Sequence, residues 1–192
     1  MIIWFSGTGN SEWVAEQLAS ALGERMVSVA EALTADDDIH FTLHDGERLG
    51  FVFPTYSWGP PPVVTEFVEK MQITGTPSSC FMVTTCGDDI GLSVPIMAKA
   101  LSRRGFTLLS AHSVQMPNNY INMKGFDVDS DAVRTAKLKA APARVAQVAQ
   151  DIAARKAVVD VVTGRFAWVK SKIIRPWFLK NAMSDKKFVV DT

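Results

Sequence analysis

A glycine- and hydroxyl-rich segment near the start of the chain has the composition of an anion-binding loop. Residues 5–13, FSGTGNSEW, contain two glycines, three hydroxyl side chains and one amide, but no lysine or arginine. Apolar residues precede the segment as a short strand would, and apolar residues recur at helical spacing after it. Glycine lets a backbone approach a ligand closely, and the unpaired amides at a helix start favour an anion. We therefore expect residues 6–11 to cradle a phosphate without a cation.

Two common phosphate-binding motifs do not fit this segment. The Walker loop requires a lysine directly after its second glycine, and the first lysine of this chain is Lys70. The dinucleotide fingerprint requires three spaced glycines, and only Gly7 and Gly9 are present here. For a glycine-rich segment considered alone, a purely structural turn is the alternative.

An aromatic segment follows a later strand-like run. Residues 53–62, FPTYSWGPPP, place Tyr56 and Trp58 among turn-forming residues, and Gly59 permits backbone conformations that larger residues resist. Partly exposed aromatic rings in such a loop can stack on a planar ligand. The alternative is that both rings pack beneath the following helix.

Two further segments also follow strand-like runs. Residues 84–91, TTCGDDIG, offer hydroxyls, glycines and two carboxylates, although Asp88 and Asp89 could instead cap the next helix. Residues 116–123, MPNNYINM, contain Tyr120, which could cover a ligand or simply close the loop. The two asparagines of this segment are equally typical of turns.

Alternating short apolar runs and longer segments of helical periodicity predict a parallel sheet packed between helices. The predicted strands are residues 2–5, 26–29, 49–53, 80–85 and 107–114. The predicted helices are residues 11–22, 62–71, 92–103 and 132–154, and the connection over residues 30–48 is the least regular. In such a sheet, the loops that follow the strands gather at its carboxyl edge, where ligands bind. The four polar segments should therefore meet there.

The composition is that of a globular protein with a substantial core. Of the 192 residues, 47% are hydrophobic and 21% are charged. Cys80 and Cys86 provide neither a disulfide framework nor a set of metal ligands, and the first residues lack the pattern of a secretory signal. No apolar run approaches the roughly 18 residues of a membrane-spanning helix. We therefore expect a cytoplasmic protein.

The formal net charge of zero conceals an uneven distribution. Residues 1–131 carry 7 Lys and Arg against 16 Asp and Glu, whereas residues 132–192 carry 13 against 4. An acidic body disfavours nucleic acid, and a basic end could meet an acidic protein, a membrane surface or the body itself. Residues 164–183 combine aromatic residues with five cations, which predicts an amphipathic helix kinked or interrupted at Pro176. We expect its apolar side to cover the core, and a membrane-surface helix is the less favoured alternative.

The four polar segments, taken together, resemble the motifs of a known family. FSGTGNS, FPTYSWGPP, TTCGDDIG and MPNNY have the order and spacing of flavodoxins, and more narrowly of the flavodoxin part of bacterial and archaeal flavodoxin-ferredoxin fusion proteins. The resemblance extends to about residue 157. It implies an α/β flavodoxin-like three-layer sandwich, with a five-stranded parallel sheet of order 2-1-3-4-5 and helices on both faces. We expect this domain over residues 1–160 and a basic amphipathic extension over residues 161–192.

The same resemblance implies flavin mononucleotide (FMN) as the cofactor, with its phosphate in residues 6–11 and its ring between the aromatic segment and residues 85–91. It assigns no catalytic residue and no metal ligand. The implied cofactor-binding residues are Ser6, Thr8, Gly9, Asn10, Ser11, Pro54, Thr55, Tyr56, Ser57, Trp58, Gly59, Thr85, Cys86, Gly87, Asp88, Asp89, Gly91 and Tyr120.

Two redox properties follow from the resemblance. In flavodoxins a peptide beside the flavin N5 reorients on reduction, and its motif position makes Gly59 the candidate for that peptide. A phosphate loop without a cation leaves the negative charge near the ring uncompensated, which implies a strong reductant. Cys86 lies in a candidate site loop, but no histidine neighbours it in sequence, so we interpret its thiol as a packing group.

The resemblance also bears on partners. In the fusion proteins, a ferredoxin-like segment with two four-cysteine runs follows a sequence similar to DKKFVVD, here residues 185–191. The chain ends at Thr192, so the resemblance leaves two alternatives, a truncated chain or a lone flavodoxin. In a truncated chain, residues 164–187 would connect the flavin domain to iron-sulfur clusters.

Three classes of function remain open from the sequence. The leading interpretation is an electron carrier in which FMN exchanges single electrons with an iron-sulfur, ferredoxin-like partner. The enzymatic alternative is an FMN-dependent reductase of quinones or another small acceptor, with a nicotinamide donor. A cofactor-free interaction module on the same fold is the third.

Overall fold

The chain forms a parallel β-sheet with helices on both faces. The structure, a computed structural model, describes residues 1–35, 39–121 and 127–181. The strands in chain order are β1 (Ile2–Trp4), β2 (Met26–Ser28), β3 (His40–Thr42), β4 (Leu49–Pro54), β5 (Gln72–Thr74), β6 (Cys80–Cys86), β7 (Ser110–Gln115) and β8 (Val159–Asp160). The helices are α1 (Asn10–Leu22), α2 (Val29–Thr34), α3 (Pro62–Lys70), α4 (Ser93–Ser102), α5 (Asp131–Ala153), α6 (Ala167–Val169) and α7 (Arg175–Asn181).

The main sheet has the strand order β2-β1-β4-β6-β7-β8, and all of these pairs are parallel. The five predicted strands occur in the predicted order, so the predicted fold class is confirmed. The sheet has six strands rather than five because β8 pairs with β7, which places Asp160 opposite His112. Strand β8 has two residues, both exposed. It therefore lacks the apolar run that indicated the other strands.

Two apolar clusters lie on opposite faces of this sheet. One joins β1, β4 and β6 to α3 and α4, and the other joins the sheet to α1 and α5. Strands β4 and β6 are buried over almost their whole length, as expected for central strands of a parallel sheet covered on both faces. This packing fixes the strand ends, and therefore the loops that follow them.

The irregular connection over residues 30–48 contains two elements that the sequence did not predict. Helix α2 begins after Ser28, whose hydroxyl accepts a hydrogen bond from the amide of Glu31. Strand β3 pairs with β5 in a separate two-stranded parallel sheet. Residues 36–38 of the connection lie outside the described residues.

The C-terminal helix, residues 167–181, contains a widened turn. A π-helical segment, Lys170–Ile174, joins α6 to α7, and Pro176 is the second residue of α7. Proline has no N–H to donate within a helix, and its ring displaces the preceding turn. A π-helical segment is one way to absorb that displacement. The irregular turn ends two residues before Pro176, and the helix is not interrupted at Pro176 itself.

Gly50 of β4 lies against the aromatic ring of Phe81 on β6. A Cβ atom at Gly50 would lie 2.2 to 2.7 Å from three atoms of that ring, and both residues are in the core of the sheet. We expect Gly50→Ala to lower the free energy of unfolding by about 2 kcal/mol, because the ring cannot move in a close-packed interior. Urea denaturation measures the change.

Gly87→Ala is the matched control for this prediction. The nearest atoms to a Cβ at Gly87 belong to the side chain of Asn118, at 3.0 to 3.2 Å. That side chain is only half-buried and can rotate away, so we expect a loss below about 0.5 kcal/mol. Equal losses of unfolding free energy in the two variants would show that the Phe81 ring can move aside for the added methyl group.

Candidate functional site

The loops that follow β1, β4, β6 and β7 meet at the carboxyl edge of the sheet, as the sequence predicted. Ser11 Oγ of the first loop lies 2.7 Å from Thr85 Oγ1 at the end of β6, in a buried contact. The Asn119 amide of the fourth loop donates a hydrogen bond to Thr8 Oγ1. The second loop is joined to β6 by Thr55, whose amide donates to the Thr85 carbonyl at 2.7 Å. The four segments therefore form one continuous rim.

The glycine-rich loop, residues 6–11, presents hydroxyls at the start of α1. Gly9 has a φ of 89°, a left-handed conformation, and α1 begins at the next residue. The Gly9 amide donates to Ser6 Oγ at 3.0 Å. Because Ser6 and Thr8 both accept hydrogen bonds from the chain, their own O–H protons are free to donate to an anion. The loop therefore suits a phosphate in its donor set and in its position at a helix start.

The aromatic loop closes over the glycine-rich loop through Tyr56. The ring of Tyr56 packs edge-on against Phe5, with the ring centroids 6.3 Å apart. A Cβ atom at Gly7 would lie 2.6 Å from the Tyr56 hydroxyl oxygen, so only glycine allows this approach. Burial raises the pKa of Tyr56, which keeps its hydroxyl neutral and able to donate.

The turn at the tip of the aromatic loop has a strained backbone. Ser57 and Trp58 have φ values of 47° and 60°, a region that residues with a Cβ atom rarely adopt. The Tyr56 amide closes the turn by donating to the Gly59 carbonyl at 2.9 Å. Ser57 Oγ is buried and has no hydrogen-bond partner among the described residues. Backbone strain combined with an unpaired buried hydroxyl is typical of a ligand-binding turn.

Both carbonyl groups beside the predicted reorienting peptide are already bonded. The Trp58 carbonyl accepts a hydrogen bond from Ser171 Oγ at 2.8 Å, and the Gly59 carbonyl accepts from Tyr56. A Cβ atom at Gly59 would lie 2.6 Å from the guanidinium of Arg175. Reorientation at Gly59 would therefore break a contact with the C-terminal helix, and its role stays a prediction.

Three polar residues of the C-terminal helix hold the rim loops, and the sequence analysis missed all three. The Arg175 guanidinium donates hydrogen bonds to the carbonyls of Tyr56 and Pro60. Arg175 is only 7% exposed. Ser171 Oγ also accepts from the Leu92 amide at 2.8 Å, which connects the aromatic loop to the start of α4. Lys170 Nζ lies 2.6 Å from Asp89 Oδ2 and 5.4 Å from the centre of the Trp58 ring.

The expectation of uncompensated negative charge near the ring did not include two cations that reach the ring loops from the C-terminal helix. Asp89 neutralises Lys170, but no described acidic residue pairs with Arg175. Burial lowers the pKa of Arg175 to about 10, so its guanidinium remains charged at neutral pH. A buried positive charge therefore lies directly behind the aromatic loop.

The expectation that the apolar side of the C-terminal helix covers the core is wrong. The helix docks through Ser171 and Arg175, which are buried, whereas five of its large apolar residues are exposed: Trp168, Val169, Ile173, Ile174 and Trp177. Periodicity identifies the apolar side of a helix but does not determine which side docks. The final residues of the predicted extension, 182–192, lie outside the described residues.

The third loop uses its carboxylates for contacts other than capping. Helix α4 begins at Ser93 without a side-chain cap, so the capping alternative for Asp88 and Asp89 is wrong. Asp89 Oδ1 is buried and unpaired among the described residues. Burial raises the pKa of Cys86 to about 12, with further contributions from Asp89 and Asp88. Its thiol is therefore protonated and suits packing rather than nucleophilic chemistry.

The fourth loop lies between the glycine-rich loop and the C-terminal helix. Asn10 Nδ2 donates to the Pro117 carbonyl at 3.2 Å, and the Asn118 side chain lies beside Gly87. The ring of Tyr120 packs against Phe178, with centroids 5.9 Å apart. Residues 122 and 123, the end of this predicted segment, lie outside the described residues.

A second cluster of ionisable groups lies away from this rim. A nitrogen of His112 and carboxylate oxygens of Asp151 and Asp160 lie within 4.8 Å of one another. Each carboxylate already binds a cation, Asp160 with Arg144 and Asp151 with Lys156, both at 2.5 Å. We interpret the cluster as a charge network at the edge of the sheet.

The burial of His112 predicts a dependence of stability on pH. Burial and the nearby Arg144 hold the pKa of His112 below its usual value of 6.5. As the pH falls through 6.5, the unfolded chain binds more protons than the folded one, so the free energy of unfolding decreases. We expect a smaller decrease between pH 7 and pH 5 in His112→Gln, measured by urea denaturation. His44→Gln, which changes an exposed imidazole, should retain the decrease, and an unchanged slope in His112→Gln would contradict this account.

Comparison with known proteins supports the architecture. No protein-family model and no curated protein matches the chain. Among solved structures, azoreductase AzrA superposes with a TM-score of 0.50 at 9% identity, over 80% of this chain and 100% of its own. The order of the five central strands is also that of flavodoxin. The fold is flavodoxin-like.

Two further structures are similar to the chain. A flavodoxin of Streptococcus pneumoniae TIGR4 has a TM-score of 0.44 at 17% identity, over 80% of this chain and 97% of its own. An azoreductase of Bacillus anthracis has a TM-score of 0.47 at 8% identity, over 80% of this chain and 96% of its own. At these identities the likeness concerns the flavodoxin-like fold alone, and the site must be interpreted from its own residues.

Proposed function

We propose that the chain binds FMN at the rim and carries electrons between partner proteins. The observation that carries the proposal is the cradle of residues 6–11, where neutral hydroxyls and helix-start amides converge without a cation. A phosphate group suits such a cradle, and the aromatic loop lies directly beside it. The rim thus offers an anion site and aromatic side chains in one place.

The residues present fit FMN in their chemistry. Ser6 and Thr8 retain O–H protons that can donate to phosphate, and the first amides of α1, which have no partner within the helix, follow directly after them. Tyr56 and Trp58 supply aromatic surface, and Ser57 Oγ supplies a buried group that lacks a partner in the described chain. Bound FMN would supply reversible one- and two-electron chemistry.

The polypeptide contributes position and charge to this chemistry. Arg175 and Ser171 fix the carbonyls of the aromatic loop, which keeps the strained turn in one conformation. The guanidinium of Arg175 places a positive charge behind that turn, and such a charge favours negative charge on a nearby group. We therefore propose a less strongly reducing cofactor than the sequence implied.

An iron-sulfur protein is the partner we propose. The narrower resemblance to flavodoxin-ferredoxin fusion proteins supports this class of partner, because a ferredoxin exchanges single electrons. The exposed residues 7–9 at the rim leave a route of approach. Mixing the reduced protein with a ferredoxin and following both spectra tests the exchange.

An FMN-dependent reductase is the second candidate. The flavodoxin-like fold is shared with AzrA, which is an azoreductase, and the same rim would serve such an enzyme. The two candidates differ in whether a second small substrate is turned over. Rapid oxidation of NADH or NADPH with a quinone or azo dye as acceptor would identify the reductase.

Reconstitution tests the cofactor assignment. The purified chain is mixed with FMN, FAD or riboflavin, and quenching of flavin fluorescence is followed. We expect FMN to bind more tightly than riboflavin, because only FMN carries the phosphate that residues 6–11 would hold. Failure to bind FMN would overturn the proposal. Tighter binding of FAD than of FMN would show that FAD is the cofactor.

A further inference from the structure

The C-terminal helix leaves an unusually large apolar surface exposed. None of the described helices combines the length and apolar composition required to cross a bilayer. Ser171 and Arg175 are buried against the body, whereas most of the large apolar residues of the segment are exposed. Six large residues of this segment form the exposed surface: Phe166 (72% exposed), Trp168 (61%), Val169 (40%), Ile173 (56%), Ile174 (40%) and Trp177 (56%). Large apolar side chains exposed together on one short segment are typical of an interaction site.

The charges around this surface are of one sign. Residues 161–181 contain five Lys and Arg and no Asp or Glu. Two of the cations, Lys170 and Arg175, are used in contacts with the rim loops. The remaining three, Arg165, Lys172 and Lys180, are exposed. The apolar surface is therefore accompanied by free positive charge along its length.

This arrangement is typical of a helix that lies in a membrane interface. Phe166, Val169, Ile173 and Trp177 recur in the sequence at spacings of three and four residues, and all four are at least 40% exposed. Tryptophan favours the boundary between headgroups and acyl chains. Lysine and arginine beside an apolar row reach anionic headgroups while that row enters the boundary.

We infer that the C-terminal helix binds the surface of a bilayer that contains anionic lipids. Charge complementarity selects this occupant over the same helix of a second copy of the chain. Two copies meeting symmetrically through this helix would bring the exposed cations of each against those of the other, with no acidic residue from either segment to compensate. In an anionic bilayer, the acyl chains can accommodate the apolar side chains, and the negatively charged headgroups can pair with the exposed cations.

The binding helix is also the helix that holds the rim. Arg175 and Ser171 connect it to the aromatic loop, so a helix lying on the bilayer would bring the rim close to the membrane surface. The inference goes beyond the proposed function and does not depend on it, because lipid binding requires no flavin.

Co-sedimentation with vesicles tests the inference. The full chain is mixed with vesicles of phosphatidylcholine alone, or of phosphatidylcholine with phosphatidylglycerol, at low and high salt. We expect binding to the anionic vesicles at low salt, weakened by salt, and little binding to the neutral vesicles. Tryptophan emission should shift to shorter wavelength on binding, because Trp168 and Trp177 leave water.

Two pairs of substitutions separate the apolar and charged contributions. Ile173→Ser with Trp177→Ser should weaken binding at least about 10-fold, because both side chains lose their burial in the interface. Lys172→Gln with Lys180→Gln should weaken binding about 25-fold, at about fivefold per cation near an anionic surface. Ser171 and Arg175 are retained in both variants, so the helix stays docked, which circular dichroism and urea denaturation verify.

Matched controls lie on other helices. Val133→Ser with Leu138→Ser removes two exposed apolar side chains of α5, and Lys99→Gln with Lys139→Gln removes two exposed cations of α4 and α5. Both controls should bind vesicles as the unmodified chain does. Equal weakening in the controls would overturn the assignment to the C-terminal helix.

Three other outcomes would overturn the inference. Equal binding to neutral vesicles would remove the role of anionic lipid. A concentration-dependent dimer that Ile173→Ser with Trp177→Ser abolishes would assign the surface to a second copy. Salt-sensitive binding to polyglutamate without binding to vesicles would assign it to an acidic protein.

Discussion

Thr8→Asp is expected to weaken FMN binding by about 100-fold and to leave riboflavin binding within about twofold. The side chain of Thr8 is exposed in the glycine-rich loop, so the substitution adds a carboxylate to the cradle without disturbing the core. Repulsion between this carboxylate and a phosphate dianion about 4 Å away amounts to about 2 kcal/mol in the dielectric of bulk water and to about 8 kcal/mol in that of a protein surface, and a 100-fold loss, about 2.7 kcal/mol, lies within this range. Riboflavin has no phosphate, so the new carboxylate does not repel it in this way. Titration of each flavin, followed by fluorescence quenching, measures both effects.

Thr76→Asp is the matched control for this experiment. Thr76 is also exposed, but it lies in the connection before β6, at the opposite edge of the sheet. Its carboxylate adds the same charge to the protein without entering the rim, so FMN affinity should change less than about twofold. Equal losses of FMN and riboflavin affinity in Thr8→Asp would show that the loop does not hold the phosphate.

Arg175→Met is expected to lower the free energy of unfolding by about 3 kcal/mol and to weaken FMN binding about tenfold. The guanidinium donates to two backbone carbonyls in a largely buried position. Hydrogen bonds from a charged donor contribute about 1.5 to 3 kcal/mol each, and methionine leaves both carbonyls without a donor. The strained turn at Ser57 and Trp58 then loses its support, which reduces the order of the aromatic loop. Urea denaturation and FMN titration measure the two effects.

Arg165→Met provides the control with the same change of side chain. Arg165 is exposed and its guanidinium contacts only the ring of Phe166 among the described residues, at 5.8 Å. We expect a loss of stability below about 1 kcal/mol and no change in FMN binding, since exposed cation–π contacts are weak. If Arg175→Met retained the stability of the unmodified chain, the C-terminal helix would not hold the rim.

The central sheet and the meeting of the four loops could be predicted from the sequence. Strands β4 and β6 are mostly apolar because both of their faces are covered, and this leaves a short apolar run in the sequence of each. The loops then follow from topology, since parallel strands place their carboxyl ends at one edge. Val159–Asp160 could not be predicted, because two exposed residues join the sheet through backbone pairing alone.

The contacts of the C-terminal helix could not be predicted for a different reason. Ser171 and Arg175 bind backbone carbonyls more than 100 residues away, and a carbonyl that needs a donor leaves no pattern in the sequence. The apolar residues suggested docking by burial, whereas the helix docks by hydrogen bonds. The absence of acidic residues from 161–181 was the one available signal, because it leaves cations free for such contacts.

The widened turn at Lys170–Ile174 affects how the first part of the C-terminal helix is rotated about the helix axis relative to the second part. Each residue of a helix advances the chain by about 100° around its axis, and the extra residue of a π turn rotates everything upstream by about that amount. Removing one residue from this turn would leave Arg175 on its carbonyls but swing Phe166 and Trp168 a quarter-revolution or more away from Ile173 and Trp177.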